Sequence, residues 1–360
     1  MRGCLREKML SQSGKLKMTR RRTIATLIAV FTVFLIAAFA FAACDFGTQN
    51  REQVRTTEMR FMIDTYVEIT IYHNIHESAP ASIMEGAFDL VEQLENLMSI
   101  TIEGSDVYRI NNAHGEATAV DPATIEVISK SIEFGELSAG LFYITVGRLS
   151  RLWNFSENEE IPEGAALAET HATVDFRQIS IFDNTVTLAN ADAWIDLGAI
   201  AKGYIADRVA DFLIENGVSS AMINLGGDIR LVGDRGDGNP WRLAIRNPFD
   251  YGDEPHVAVL EVSSAAVVSS GTYERRFEVD GVWYHHILDP KTAMPAISDV
   301  VSVTVIAQSG IAGEGLATIA ILKGSEAAAE ILESHSEFVG AVFILGDGEM
   351  LEIGDVRLTN

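Results

Sequence analysis

The stretch from Ala193 to Arg230 constrains the fold more than any other part of the chain. It opens as a short apolar strand ending in an acid, Ala193-Trp194-Ile195-Asp196, turns through Gly198 and Ala199, and enters a helix carrying Lys202. Ile205, Val209, Phe212 and Leu213 recur at helical spacing and Gly217 stands where a C-cap belongs, so the helix has one buried face. A second strand, Ala221 to Leu225, stops at Gly226-Gly227-Asp228. An acid and a lysine six residues apart across a tight turn at a helix N-terminus let backbone N–H groups and a cation meet a phosphorylated ligand. A Gly-Ala turn also serves as plain connectivity. The glycine spacing of a dinucleotide fingerprint is absent, and so is a Gly-Lys-Ser/Thr phosphate loop.

The first 43 residues read as a leader rather than as part of the fold. Thr23 to Ala43 is an almost unbroken apolar run behind Arg20, Arg21 and Arg22, the basic and apolar regions of an export signal. It ends at Phe41-Ala42-Ala43-Cys44, and small residues directly before a cysteine resemble the lipobox of bacterial lipoproteins, which makes Cys44 the lipidated N-terminus of the mature chain. The alternative is an uncleaved membrane anchor, since 21 apolar residues just span a bilayer. Both place the rest outside the cytoplasm. Met18, directly before Thr19 and the arginines, is a second candidate start. The other cysteine, Cys4, lies in the leader, so the exported part has no disulfide and no thiol site.

Removing the leader takes away eight of 27 basic residues and one of 51 acids, leaving a net charge of −31. Nucleic acid is excluded as a partner on that balance. An anionic nucleotide would need local compensation, for which a divalent cation is the obvious candidate.

Residues 44–59 are polar and suit a tether, and residues 60–360 form the domain, with 48% hydrophobic residues in the whole chain to build its core. Phe61 to Tyr72 reads as a strand in which Val67, Ile69 and Ile71 alternate with polar residues, with Met62 near its start. Ile83 to Met98 and Asp121 to Ala139 read as amphipathic helices. Between them runs a polar loop with Ser99, Ser105 and Asn111. Leu141, Phe142 and Tyr143 open a segment through Trp153 that either lines a pocket or fills core, and Ile161 to Thr173 reads as an acidic surface segment with little structure. Strands are expected at Trp241 to Ile245, Val257 to Val262 and Val301 to Ile306, and helices at Ile311 to Leu322 and Ala327 to Leu332. Strands and helices intersperse without strict alternation, so the fold class is α+β: a single mixed domain, with room for two lobes.

Three further groups carry chemistry. Ser269-Ser270-Gly271-Thr272-Tyr273-Glu274-Arg275 is either a phosphate-binding turn or a surface hairpin. His285 and His286 are adjacent on a strand and so point to opposite faces; one at most can serve as a base in a given site, and no zinc spacing surrounds them. Glu314 and Thr318 are four apart and share a helix face, where their oxygens suit magnesium or merely cap and pack.

Taken in order, these segments resemble the ApbE family, the FAD:protein FMN transferases. The resemblance covers Arg60 to Leu345 and rests on four blocks: Asp196 to Tyr204 with Asp207-Arg208 and Asn224 to Asp228, Ser269 to Arg275, His286 to Pro290 with Thr292 and Pro295, and Leu316-Ala317-Thr318. It implies cleavage of FAD at its pyrophosphate, transfer of FMN to a Thr or Ser hydroxyl of an acceptor protein, and release of AMP, with Mg²⁺ assisting. Met62, Leu141, Phe142, Tyr143, Asp196, Lys202 and Ile287 fall at flavin-nucleotide positions, Lys202 orienting or neutralising the pyrophosphate. Ala199, Glu314 and Thr318 fall at metal positions, Ala199 through its carbonyl, and His286 at the position of the base. The chain departs from the family pattern at Glu314 and Tyr143, where aspartate is usual, and at Ala293, where glycine is. Expected partners are FAD, FMN-accepting subunits of exported or membrane electron transport, and the outer face of the cell membrane through the lipid anchor. The rival readings are an FAD pyrophosphatase releasing FMN and AMP, and a flavin-binding lipoprotein without turnover.

Overall fold

A computed structural model describes residues 53–74, 80–249 and 254–359. The expected leader, its cleavage point and Cys44 lie outside them. Gln53–Asn360 form one compact unit, as a single domain requires.

Eight strands make one sheet in which chain neighbours are also sheet neighbours: β1 (Gln53–Met62), β2 (Thr65–Asn74), β3 (Ala221–Leu225), β4 (Asp228–Val232), β5 (Ala266–Gly271), β6 (Val300–Ala307), β7 (Phe338–Leu345) and β8 (Met350–Gly354). Every pairing is antiparallel. The helices are insertions between these strands. The main ones are α1 (Pro80–Met98), α2 (Pro122–Leu137), α3 (Ala201–Glu215), α4 (Gly310–Lys323) and α5 (Ser325–Ser334).

Period-two alternation explains the layering. In β2, Val67, Ile69 and Ile71 are fully buried toward the helices, each stabilising the core by about 1.5–3 kcal/mol. In the central strands both faces are covered. Val303 and Val305 of β6 and Ala341 and Phe343 of β7 face the helix layer, whereas Ile306, Val342 and Ile344 pack against the hairpin of Trp241–Arg246 and His256–Val262. Double burial turns such strands into near-continuous apolar runs. A third cluster joins Leu149, Trp153, Phe277, Leu288 and Ala293.

Four expectations change. The strand over residues 61–72 is a hairpin, because Ile63 and Asp64 take φ values of 48° and 57° and reverse the chain between β1 and β2. Since β1 begins at Gln53, the tether expected over 44–59 gives way to sheet before its end; alternating half-burial along β1 suits an edge strand. Residues 164–171, expected to lack structure, form a helix (Gly164–His171) of alanine-rich sequence that lays Leu167 on the third cluster. Ala193–Asp196 is extended but joins no sheet. Its ladder is replaced piecemeal: Asp196 N–H donates to Ile144 O (2.8 Å), Gly147 N–H to Trp194 O (3.1 Å), and the Asn111 amide brackets Ile195 with bonds of 2.7 and 2.9 Å.

Candidate active site

Two helices meet almost backbone to backbone where the site begins. A Cβ placed on Gly203 of α3 would lie 2.3 Å from the Gly310 carbonyl oxygen at the start of α4, so only glycine permits this approach. Asp207, one turn along α3, fixes the crossing. Its carboxylate accepts the Gly310 and Ile311 amides at 2.7 and 3.0 Å, satisfying orphan donors of the α4 N-terminus, and pairs with Arg230 Nε at 2.9 Å. At its far end α3 closes as expected with Gly217 (φ 84°), whose amide donates to Ile214 O while Val218 N–H reaches Leu213 O, both 2.9 Å.

The crossing puts Lys202 beside Glu314. The Lys202 ammonium donates to Glu314 Oε1 and lies 2.9 Å from Asp228 Oδ2, with both carboxylates buried. Burial opposes the lysine charge, yet Asp228 and Glu314 outweigh it and hold Lys202 protonated above its usual range. Burial pushes the Glu314 carboxyl up against the pull of Lys202. Glu314 Oε2 is buried with no hydrogen-bond partner among the described residues. Thr318 follows one turn later on α4, half-buried, and Ala199 stands exposed on the turn before α3. Among the described residues no three His, Cys, Asp or Glu side chains converge on one point. A cation here would therefore take one carboxylate plus neutral oxygens, and the unpartnered Oε2 and the all-oxygen donor set fit a hard divalent ion.

The other wall is a hairpin between β5 and β6, made of Arg276–Val279 and Val282–His285. Arg276 faces His285 in its ladder, and the His286 amide donates to Arg275 O at 3.1 Å, so Arg275 and His286 form the next cross-strand pair with side chains on one face. The two histidines separate cleanly. His285 has both ring nitrogens engaged, Nε2 with Ala296 O (3.0 Å) and Nδ1 accepting Ile287 N–H (3.3 Å), which ties down the loop. His286 has a buried Nδ1 without a partner among the described residues. Burial, then the charges of Arg275, His285 and Lys202, push the His286 imidazole down to about 4, so it is neutral at physiological pH.

Asp196 lies half-buried at the end of its extended segment and accepts the Gly198 amide at 2.9 Å. Burial pushes its carboxyl up, and the Gly198 bond and the Arg275 charge act against that rise. The Arg275 charge thus acts on both Asp196 and His286, and the Lys202 charge acts on His286. Ile287 is half-buried beside them, its carbonyl accepting the Ala296 amide at 2.9 Å.

The remaining expected residues divide. Met62 ends β1, half-buried against the main core. Leu141 is half-buried, its amide held by Ser138 Oγ at 3.0 Å. The Phe142 ring is buried against Phe134 with centroids 5.7 Å apart, so it presents only backbone to a ligand. Tyr143 packs on Phe176 at 5.0 Å, which accounts for an aromatic ring where the family usually has aspartate. Ala293 sits at φ 60°, a conformation in which the glycine usual there is at ease, and its carbonyl accepts Trp153 Nε1–H at 3.0 Å. Sequence reasoning missed Asp228 and Asp207 as members of the site. Both lay inside the quoted blocks, but only the tertiary contacts show what their carboxylates hold.

With this geometry in place, the relatives are informative. The ApbE family model matches residues 63–343, and the chain belongs to the ApbE family. A Treponema pallidum protein named FAD:protein FMN transferase is 34% identical over 318 residues, covering 83% of this chain and 87% of its own. The solved flavin transferase ApbE from Vibrio cholerae superposes with a TM-score of 0.75 at 30% identity, over 84% of this chain and 97% of that one. The ApbE protein of Thermotoga maritima gives 0.74 at 30% identity, over 83% and 96%.

Proposed function

We propose that this chain transfers FMN from FAD to a Ser or Thr hydroxyl of an acceptor protein, releasing AMP. The observation that carries the reading is His286: a neutral imidazole with an unpartnered ring nitrogen, set between a free arginine and a lysine–carboxylate cluster. The names of the relatives support the same reaction.

In the proposed step the acceptor oxygen attacks the FMN-side phosphorus in line. The new O–P bond forms as the bond from that phosphorus to the bridging oxygen breaks, AMP leaves with the electron pair, and the hydroxyl proton passes to the His286 ring. Lys202, assigned from the resemblance to the pyrophosphate, is committed to Asp228 and Glu314. Its role is to keep those buried carboxylates charged and in place. A magnesium ion held by Glu314, Thr318 and the Ala199 carbonyl would neutralise charge on the phosphate oxygens. Asp196, Ile287, Met62 and the backbone of residues 141–143 would bound the flavin nucleotide.

The location proposed is the outer face of the cell membrane, with Cys44 lipidated; the sequence of the leader supports it. Among the described residues no helix is long and apolar enough to cross a membrane.

The test uses the full chain in detergent with FAD, Mg²⁺ and an FMN-binding acceptor domain, following acceptor mass and AMP together. One covalent FMN per AMP is the expected outcome. AMP with free FMN and no adduct would assign a pyrophosphatase, and bound FAD with neither product a flavin-binding protein without turnover.

A further inference from the structure

A pyrophosphate entering this site needs an uncommitted cation, and the chain offers few. Its exported part carries a net charge of −31. Lys202 is bound by two carboxylates and Arg230 by Asp207. The hydroxyls of the Ser269–Arg275 turn are also spoken for in part: Ser269 Oγ bonds Thr304 Oγ1 at 2.9 Å inside the sheet, and Thr272 Oγ1 donates to Val301 O at 3.3 Å.

Arg275 is different. It is exposed, and its guanidinium has no ion pair or side-chain hydrogen bond among the described residues. It stands opposite His286 across the hairpin, on the same face, and its charge reaches Asp196 as well. Its neighbour Arg276, one residue on and on the opposite face, is already engaged, lying 4.1 Å over the Trp283 ring. Of the two, only Arg275 shares a face with the base.

We infer that Arg275 grips the phosphate of the flavin nucleotide at the reacting phosphorus, beside His286. The inference deepens the transferase reading and rests on it. A guanidinium presents a planar fork that meets two phosphate oxygens at once and stays charged at every working pH. Placed next to the base, it neutralises charge on the phosphorus under attack while the acceptor hydroxyl loses its proton. It also explains why the turn opens on glycine and hydroxyl residues yet ends on an arginine: the hydroxyls pin the turn to the sheet, and the arginine faces the ligand.

The test compares FAD with riboflavin, which carries the same ring and no phosphate, on the full chain with Arg275→Gln and Arg275→Lys. Arg275→Gln should weaken FAD binding roughly 10- to 100-fold and leave riboflavin affinity within about twofold. Arg275→Lys should recover part of the loss. FAD bound by Arg275→Gln as tightly as by the unaltered protein would overturn the inference, as would equal losses for FAD and riboflavin, which mark a merely structural role. The transferase reading fails separately: FAD binding without AMP or adduct in the unaltered protein sinks that reading, while the affinity ratio still decides the place of Arg275. An unaltered protein that binds no FAD would overturn both.

Discussion

Lys202 and Arg275 stand on opposite walls of the candidate site, and the walls that carry them are built in opposite ways. On the helix side the contacts are closed: Gly203 against Gly310, Asp207 on the α4 amides, and Lys202 between Asp228 and Glu314, with Glu314 Oε2 buried and without a partner among the described residues. On the hairpin side the groups that matter are open. Among the described residues Arg275 has no counter-ion and His286 Nδ1 no partner, whereas the Arg276 guanidinium lies over the Trp283 ring and both ring nitrogens of His285 are bonded. The contrast shows a division of labour. The helix wall spends its charges on one another and holds a fixed oxygen set, whereas the hairpin wall withholds its charge and its lone pair for something that arrives.

If that division is right, damage to the helix wall should appear first as lost stability. Lys202→Met leaves Asp228 and Glu314 buried without their cation and should cost about 3–5 kcal/mol in urea unfolding; a loss below about 1 kcal/mol would mean the cluster is not a structural unit. Gly203→Ala drives a methyl group into the Gly310 backbone and should cost about 1–3 kcal/mol, with α3 and α4 forced apart. His285→Asn tests the hairpin from its engaged face. It should cost about 1–2 kcal/mol through the bonds to Ala296 and Ile287, and an unchanged melting temperature would show that the two histidines are not divided as described.

The smallest effect is a pH dependence. His286 titrates near 4 when folded against an ordinary 6.5, so between those values the unfolded chain binds more protons and the folded state loses stability as pH falls. The stability difference between the unaltered protein and His286→Asn should therefore shift against the unaltered protein as pH drops from 6.5 to 4. A difference constant over that window would place the imidazole in water.

Much of this was legible in the sequence where local pattern and burial agree. The alternation of Val67, Ile69 and Ile71 located β2, and the apolar face of residues 205–213 with Gly217 located α3 and its end. Glu314 and Thr318 do share α4. What the sequence withheld depends on partners distant along the chain. Ala193–Asp196 has strand composition but is paired by Asn111 and residues 144–147 rather than by a strand. Asp207 reads as an ordinary helical surface acid until α4 is placed on it, 103 residues later in sequence. Lys202 reads as an unpaired cation until its two carboxylates are seen. Family membership supplied which histidine to choose; the hydrogen bonds of His285 supplied the reason.

The central claim is that His286 acts in the transfer step and not in holding the fold or the nucleotide. The measurement that meets it most directly is single-turnover transfer of FMN from FAD to the acceptor domain by His286→Asn, with FAD affinity determined on the same sample. The account predicts FAD affinity within about threefold of the unaltered protein and a transfer rate lower by roughly 10²–10⁴. Transfer at the unaltered rate, or a loss explained wholly by weaker FAD binding, would contradict it.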